Sequence, residues 1–217
     1  MLLIGTATHT RAQSTKITPN LYLDTQFAFA TSKSKLIESN DTGTALRYGI
    51  GSYAGSDGQI GFHLLYDLQT TAFGLNRSSL SMAWQDTSLR YHLGPFYLGP
   101  LFTRLELKCN RAGTDIIDAA GSGYGANVGL LFAVGRDGTL RLDVATAAVS
   151  AMKNSLEQDV SISQRLDADL GASIKLTGRL LDLVFGYRVR NLSIKSDRTY
   201  VDSIYQTYSG LRLSLYF

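Results

Sequence analysis

The feature that most constrains the fold is a strict two-residue alternation of apolar and polar side chains. It is clearest in residues 205–217, where Leu211, Leu213 and Leu215 fall on one face of an extended chain and Arg212 falls on the other. The same alternation marks ten segments: 17–30, 46–51, 60–69, 80–93, 101–108, 124–134, 140–145, 162–175, 181–190 and 205–217. Because no apolar run approaches the ~20 residues of a transmembrane helix, the pattern predicts an all-β, antiparallel protein.

The connectors between these segments are of two kinds. Short ones with turn residues, such as Gly94-Pro95 and Gly178-Arg179, predict tight hairpins at one end of the sheet. The intervening connectors are longer and polar: 32–43, 70–79, 109–123, 150–160 and 192–203. Short turns at one rim and long loops at the other are typical of up-and-down transmembrane barrels. No composition break divides the chain, so we predict one barrel domain over residues 13–217.

Charge placement favours a membrane barrel over a soluble, lipocalin-like barrel, in which the apolar faces would point inward. The chain has 21 Lys+Arg and 18 Asp+Glu residues, and none of them falls on an apolar strand face as we assign those faces. Such exclusion is expected of a surface in lipid, where Arg or Lys at the midplane costs about 2–4 kcal/mol. We therefore predict that the apolar faces point outward and the charges point into the lumen.

Four local patterns add expectations. Leu80, Met82 and Trp84 change phase relative to Leu89, which predicts a bulge or a later strand start. Leu101, Leu105, Leu107 and Ile162 are assigned to outward faces. Ile116, Ile117 and Ala119, in the third long connector, are candidates to line an access route. Interfacial aromatic girdles are expected from Tyr22, Tyr48, Tyr66, Trp84, Tyr91, Tyr97, Tyr124, Tyr187 and Tyr205.

A chain that ends on Phe217 within an alternating strand resembles the bacterial outer-membrane β-barrel proteins. The resemblance covers nearly the whole chain and implies about ten transmembrane strands, short periplasmic turns and five longer extracellular loops. It also implies that Phe217 is the signal read by the barrel assembly machinery, and that the protein lies in the outer membrane of a Gram-negative bacterium, among outer-membrane lipids. Residues 1–12 then read as the remnant of a signal peptide, or else as a flexible arm.

The inward faces predict a charge network in a narrow lumen. Its candidate members are Arg104, Glu106, Arg141, Asp143, Arg165, Asp167, Asp169, Lys175, Asp182, Arg188, Arg190 and Arg212. A two-residue turn at Gly178-Arg179 would pair Thr177 with Leu180. The same register places Lys175 opposite Asp182, Asp169 opposite Arg188 and Asp167 opposite Arg190, each pair opposite in sign.

Two roles fit such a barrel: a structural or surface-interaction role, or narrow, porin-like passage of small solutes. An outer-membrane enzyme, either a protease or a lipid A-modifying enzyme, is a further alternative. We expect no catalysis, because His63 and Asp67 on one strand face are separated by roughly 13 Å. Metal and cofactor sites are not expected, since His and Cys are not clustered and Cys109 is the single cysteine. A net charge of +3 without a basic cluster argues against nucleic acid.

Overall fold

The chain forms a closed barrel of ten antiparallel strands. The computed structural model describes residues 20–34, 39–56, 60–75, 78–135, 138–154, 160–177, 181–196 and 202–216. The strands are β1 (Asn20–Ser34), β2 (Ser39–Ser56), β3 (Ile60–Leu75), β4 (Ser78–Leu93), β5 (Phe96–Arg111), β6 (Thr114–Val134), β7 (Gly138–Asn154), β8 (Val160–Thr177), β9 (Leu181–Ser196) and β10 (Asp202–Tyr216). Each strand pairs with its neighbours in sequence, and β1 pairs with β10 to close the wall. The predicted up-and-down barrel of about ten strands is confirmed.

The two rims differ less than expected. The lower rim is the end where β1 begins and β10 ends, and two or three residues connect its strand pairs. At the opposite, upper rim, two to five residues connect the strands. The upper connectors are shorter than the predicted loops because the strands, of 15 to 21 residues, continue through most of those segments. The described residues contain no helix of the length and hydropathy needed to span a membrane.

The β5–β6 hairpin shows this extension best. The predicted loop 109–123 is wrong, because β5 continues to Arg111 and β6 begins at Thr114. Ala112 and Gly113 form the turn with φ angles of 52° and 83°, the left-handed conformation that a two-residue type I′ hairpin turn needs. The predicted access route also fails at Ile117 and Ala119, which are 1% and 3% exposed inside the barrel.

Towards the lower rim the outer wall is apolar. Its exposed side chains include Leu23, Phe27, Leu46, Tyr48, Ile50, Leu64, Tyr66, Leu89, Leu98, Phe102, Tyr124, Val128, Phe132, Leu142, Leu166, Leu170, Ile174, Phe185, Tyr187 and Leu211, which we call the membrane belt. On β6 the belt runs from Tyr124 to Val134. At about 3.3 Å per residue and a tilt near 40°, ten residue steps rise roughly 25 Å, the height of a lipid-facing apolar band.

Above the belt the outer wall becomes polar. Its exposed side chains include Thr31, Lys33, Thr42, Thr44, Ser79, Ser81, Arg104, Glu106, Lys108, Ser122, Ser150, Ser163, Asn191 and Lys195, which we call the polar band. On β5 the change falls between Phe102 and Arg104. The eight or so residues of strand above this level rise roughly 20 Å beyond the belt.

The inside of the barrel changes polarity at the same level, in the opposite sense. At the height of the polar band, the inside of the barrel is filled by apolar side chains that are at most 5% exposed: Leu80, Met82, Leu105, Leu107, Cys109, Ile117, Val149, Met152, Val160, Ile162, Leu192, Ile194 and Ile204. We call this set the apolar plug. The upper half therefore has an apolar core and a polar surface, like a soluble barrel, and it continues a lower half whose outer surface is apolar.

This inversion corrects several predicted orientations. Leu80, Met82, Leu105 and Leu107 point inward for this reason. Leu101, which is 4% exposed, also points inward, but it lies below the change, where Phe102 takes the outer face. No bulge re-phases β4, because its even-numbered residues face the lumen from Leu80 to His92. The apolar residues change phase there because β4 passes from the upper half, with its apolar interior, to the lower half, with its apolar exterior.

A bulge does occur in β8. The β8–β9 register shifts between Ile162 and Gln164, and both Ser163 and Gln164 are exposed. Ile162 therefore points inward at 1% exposure, whereas Leu166 and Leu170 point outward. The prediction of an outward Ile162 is wrong for this reason. Residues 1–12 and Phe217, which carry the leader and assembly-signal predictions, lie outside the described residues.

Candidate functional site: the charged lumen

Below the apolar plug, the lumen holds a network of charged side chains. Its described members are Arg47, Asp86, Arg90, Arg141, Asp143, Arg165, Asp167, Asp169, Arg188 and Arg190. They come from β2, β4, β7, β8 and β9, so the network joins strands on several sides of the wall. Because the outer side chains at this level are apolar, the alternation of each strand directs the charges inward.

Asp167 and Arg165 are the centre of this network. Asp167 accepts hydrogen bonds from Arg165 Nε and Nη2 at 3.1 and 2.7 Å, and from Arg190 Nε and Nη2, each at 2.8 Å. Arg165 also reaches Asp86 Oδ1 and Oδ2, at 2.8 and 2.6 Å, in a bidentate contact. Thr103 completes the group by donating to Asp86 at 2.6 Å. These are charge-assisted hydrogen bonds between buried groups, the strongest kind available to side chains.

The Arg165–Asp86 pair crosses the lumen. Three strands, β5, β6 and β7, separate β4 from β8 along the shorter way around the wall. Arg165 is 2% exposed inside the barrel. The Arg165 side chain therefore spans the lumen from β8 to β4 at this level.

Trp84 lies between the charge network and the apolar plug. The guanidinium groups of Arg165 and Arg190 lie 4.4 and 4.9 Å from the centre of its ring. Such cation–π contacts are strongest where water is excluded, and Trp84 is 1% exposed. The indole thus covers the charges on one side and packs against the buried apolar cluster on the other.

Two further groups extend the network. Asp169 accepts from Arg188 Nε and Nη2 at 3.0 and 2.6 Å, and Arg47 and Arg141 lie 3.8 and 3.6 Å from it. Nearer the lower rim, Asp143 accepts from the Tyr97 hydroxyl at 2.7 Å and from Arg90 Nη2 at 2.8 Å.

Gly129 makes room for the Tyr97 ring. It is the cross-strand partner of Tyr97, and a Cβ at Gly129 would lie 2.3 Å from the ring. Small residues on the inner wall thus accommodate large ones reaching across the lumen.

A small cavity of about 40 Å³ remains within the network. Its lining includes Arg47, Asp86, Asp143 and Asp169. A space of this size and polarity holds a few water molecules. It is much too small for the sugars, nucleotides or peptides that wide aqueous barrels admit.

The structure places the predicted network residues in three ways. Arg141, Asp143, Arg165, Asp167, Asp169, Arg188 and Arg190 lie in the lumen, as predicted. Arg104 and Glu106 do not: they pair with each other at 3.4 Å on the outer wall, with side chains 52% and 48% exposed. That prediction is wrong because the outer wall of β5 is polar above Phe102. The side chains of Lys175, Asp182 and Arg212 lie outside those that the structure describes.

Sequence reasoning missed Arg47, Asp86, Arg90 and Trp84. Trp84 and Tyr97 were assigned to outer girdles, but both are 1% exposed inside the barrel. Had β4 been interpreted as one uninterrupted strand, Trp84, Asp86 and Arg90 would have shared a face. Tyr48, Tyr66, Tyr124, Tyr187 and Tyr205 are exposed on the outer wall, which is the side that the girdle prediction gave them.

The register predicted for β8 and β9 is confirmed at its three charged positions. Asp167 lies opposite Arg190, Asp169 opposite Arg188 and Lys175 opposite Asp182. The turn pairing is wrong, however, because Thr177 lies opposite Leu181 and not Leu180. A register shift between Lys175 and Thr177 reconciles the two results.

The described residues contain no group of three His, Cys, Asp or Glu side chains placed to hold a metal ion. His92 is 7% exposed, and its ring lies 4.9 Å from that of Tyr97. The side chains of His63 and Asp67, the pair considered for catalysis, are outside those described.

A closed, up-and-down barrel with an apolar belt and a charged lumen is the architecture of outer-membrane β-barrel proteins. The chain resembles the outer membrane protease OmpT from Escherichia coli, with a TM-score of 0.52 and 7% identity over 94% of this chain and 99% of that one. Neisserial surface protein A matches with a TM-score of 0.44 and 13% identity, over 91% of this chain and 97% of that one. The translocator domain of the autotransporter NalP from Neisseria meningitidis matches with a TM-score of 0.45 and 14% identity, over 91% of this chain and 88% of that one. No protein-family model and no curated protein matches the chain in sequence. At these identities the similarity shows the fold alone.

Proposed function

We propose that this protein is a closed, non-enzymatic outer-membrane barrel that carries a rigid, water-exposed extension above the membrane for contact with surface partners. In this proposal the lower rim faces the periplasm and the upper rim faces outward. On β5 the polar band places the β5–β6 hairpin roughly 20 Å above the apolar belt. Such an extension of paired strands holds the loops beyond the lipid surface, so their position does not depend on flexible segments.

The observation that carries the proposal is the filling of the lumen at two successive levels. Trp84 and Arg165 occupy the cross-section within the membrane belt, at 1% and 2% exposure. Above them the apolar plug excludes water, as Leu105 and Leu107 at 0% exposure illustrate. An ion moving through would have to break buried ion pairs and then enter an apolar core, and both steps are costly.

Planar bilayer recording of the refolded full chain tests this proposal. We expect no conductance steps, and we expect vesicles containing the protein to retain small sugars. The matched variants are Trp84→Ala/Arg165→Ala/Leu105→Ala/Leu107→Ala, which trims side chains at both of the levels that close the lumen, and Arg104→Ala on the outer wall.

The variant with the trimmed lumen should leak more than the parent, whereas the wall variant should behave as the parent does. A heat-dependent shift in gel mobility would verify that each variant has folded. Large, stable steps from the parent protein would overturn the closed barrel and support the alternative of solute passage.

A further inference from the structure

Gln206 is a fully buried polar residue at the lower edge of the apolar plug. It points into the barrel from β10 at 0% exposure, one inward position below Ile204. Its Oε1 atom accepts a hydrogen bond of 2.7 Å from the Tyr208 hydroxyl, but its Nε2 atom has no hydrogen-bond partner among the described residues. Turning the amide over would only exchange the two atoms, because the single hydroxyl group bonds to one of them. In either orientation, one polar atom of Gln206 is left without a partner in the described part of the chain.

The residues opposite Gln206 on the two neighbouring strands do not bond to this amide nitrogen. Arg190, opposite Gln206 on β9, carries only N–H donors in its side chain, and it donates to Asp167. Ser32, opposite Gln206 on β1, is 1% exposed, and its Oγ atom also lacks a hydrogen-bond partner among the described residues. Buried polar atoms are seldom left without a partner, because they lose the hydrogen bonds that water gives them in the unfolded chain. Two such atoms on adjacent strands point to a small polar molecule between them.

A second cavity leads from the charged lumen towards Gln206. Its volume is about 10 Å³, close to the space that one water molecule needs. Arg47 and Arg188 line both this cavity and the larger one of about 40 Å³, so the two spaces adjoin. Tyr208 lines the small cavity and also bonds to Gln206. Polar groups therefore follow one another from the larger cavity through the small one to the amide of Gln206.

Small side chains on β1 and β2 leave room for this route. Ala28 and Ala45 line the small cavity with one methyl group each, and Ala30, at 1% exposure, continues the inner wall of β1 upward. Above Gln206 the side chain of Ile204, at 0% exposure, closes the space. The route is therefore a dead end, which is compatible with a barrel that is closed to ions.

We infer that a column of ordered water molecules runs from the charged lumen to Gln206 and ends there. The last water would accept a hydrogen bond from Gln206 Nε2 and donate one to Ser32 Oγ, and water offers both functions where a halide offers only the first. At the other end, Trp84 lines the larger cavity, and its Nε1–H group, which has no partner among the described residues, would donate to water there. The inner wall is thus wet beside β1 and β10, the pair that closes the barrel, while the plug above it is dry.

Solvent exchange of the Gln206 side-chain amide, in the full chain refolded in detergent micelles, tests the column. Nuclear magnetic resonance follows the two amide protons after transfer into D2O, and Gln206→Leu identifies their signals by removing them. Ala28→Val and Ala45→Val each fill the small cavity, from β1 and from β2. Ala168→Val, on the exposed outer wall of β8, is the matched control. A heat-dependent shift in gel mobility verifies that each variant has folded.

In the parent protein the amide protons should exchange while the barrel stays folded, and filling the small cavity should slow this exchange roughly tenfold or more. Ala168→Val should change the rate less than about twofold. Amide protons that persist in the parent until the barrel unfolds would overturn the inference, and so would equal rates in the parent and the filled variants. Shifts of the amide signals on addition of bromide would also overturn it, because the occupant would then be an anion. None of these results would affect the closed-barrel proposal, which depends on Trp84, Arg165 and the apolar plug.

Discussion

Replacing Asp167 by Asn tests whether the charge network holds the barrel together. The substitution keeps the shape of the side chain but removes the negative charge between the guanidinium groups of Arg165 and Arg190. Four hydrogen bonds of 2.7 to 3.1 Å lose their charged acceptor. Removing one partner of a buried ion pair leaves the opposite charge in a dry environment, which costs about 3–5 kcal/mol. We therefore expect Asp167→Asn to lower the free energy of unfolding by about that amount.

An exposed ion pair in the same barrel provides the control. Glu106 pairs with Arg104 on the outer wall, where both side chains are about half exposed. Glu106→Gln should therefore change the free energy of unfolding by only about 0–1 kcal/mol. Urea unfolding from lipid vesicles, followed by the fluorescence of Trp84, measures both variants, since the chain has a single Trp and it contacts Arg165. If Asp167→Asn costs no more than Glu106→Gln, the network does not stabilise the barrel and our reasoning is wrong.

Three further predictions concern single positions. Gly129→Ala should destabilise the barrel by about 1–3 kcal/mol in the same unfolding assay, because the new methyl group would collide with the Tyr97 ring. Gly186→Ala, whose nearest neighbour would be 3.5 Å away, should be tolerated, and equal losses would refute this account of the packing. Ala112→Asn should raise stability by up to about 1 kcal/mol, since Asn tolerates the positive φ of 52° better than Ala does, and unchanged stability would argue against a strained turn. Burial raises the pKa of the Cys109 thiol to about 11, so at pH 8 maleimide should label the folded protein far more slowly than the urea-unfolded protein, and equal rates would contradict a dry plug.

The sequence was most informative where the strands cross the membrane belt. Within lipid, the outer face must be apolar, so the alternation on β8 and β9 directs Asp167, Asp169, Arg188 and Arg190 inward. Pairing them by opposite charge then predicted the correct register. The turn itself was harder to predict, because one extra residue of shift near Thr177 leaves the charged pairs unchanged.

The same reasoning failed above the belt. Alternation shows which residues share a face, but not whether that face meets lipid, water or protein. We assumed that apolar faces point outward everywhere, and this assumption reversed the orientation of Leu105 and Arg104. The change of apolar phase within β4 was the visible sign of the reversal, but a bulge would produce the same pattern. The cross-lumen contact between Arg165 and Asp86 was also beyond prediction, since it joins residues 79 positions apart through space and not through the sheet.

The inverted polarity gives the two halves of the barrel different responses to temperature. When the plug unfolds, its apolar side chains enter water, and exposing apolar surface to water increases the heat capacity of the unfolded state. In the outer-membrane location that we propose, the membrane belt contacts apolar acyl chains even while the protein is folded, so its contribution to that heat capacity is smaller. The attraction that closes the plug also weakens on cooling, as for any core formed in water. We therefore expect cold to loosen the upper half of this barrel before it affects the lower half.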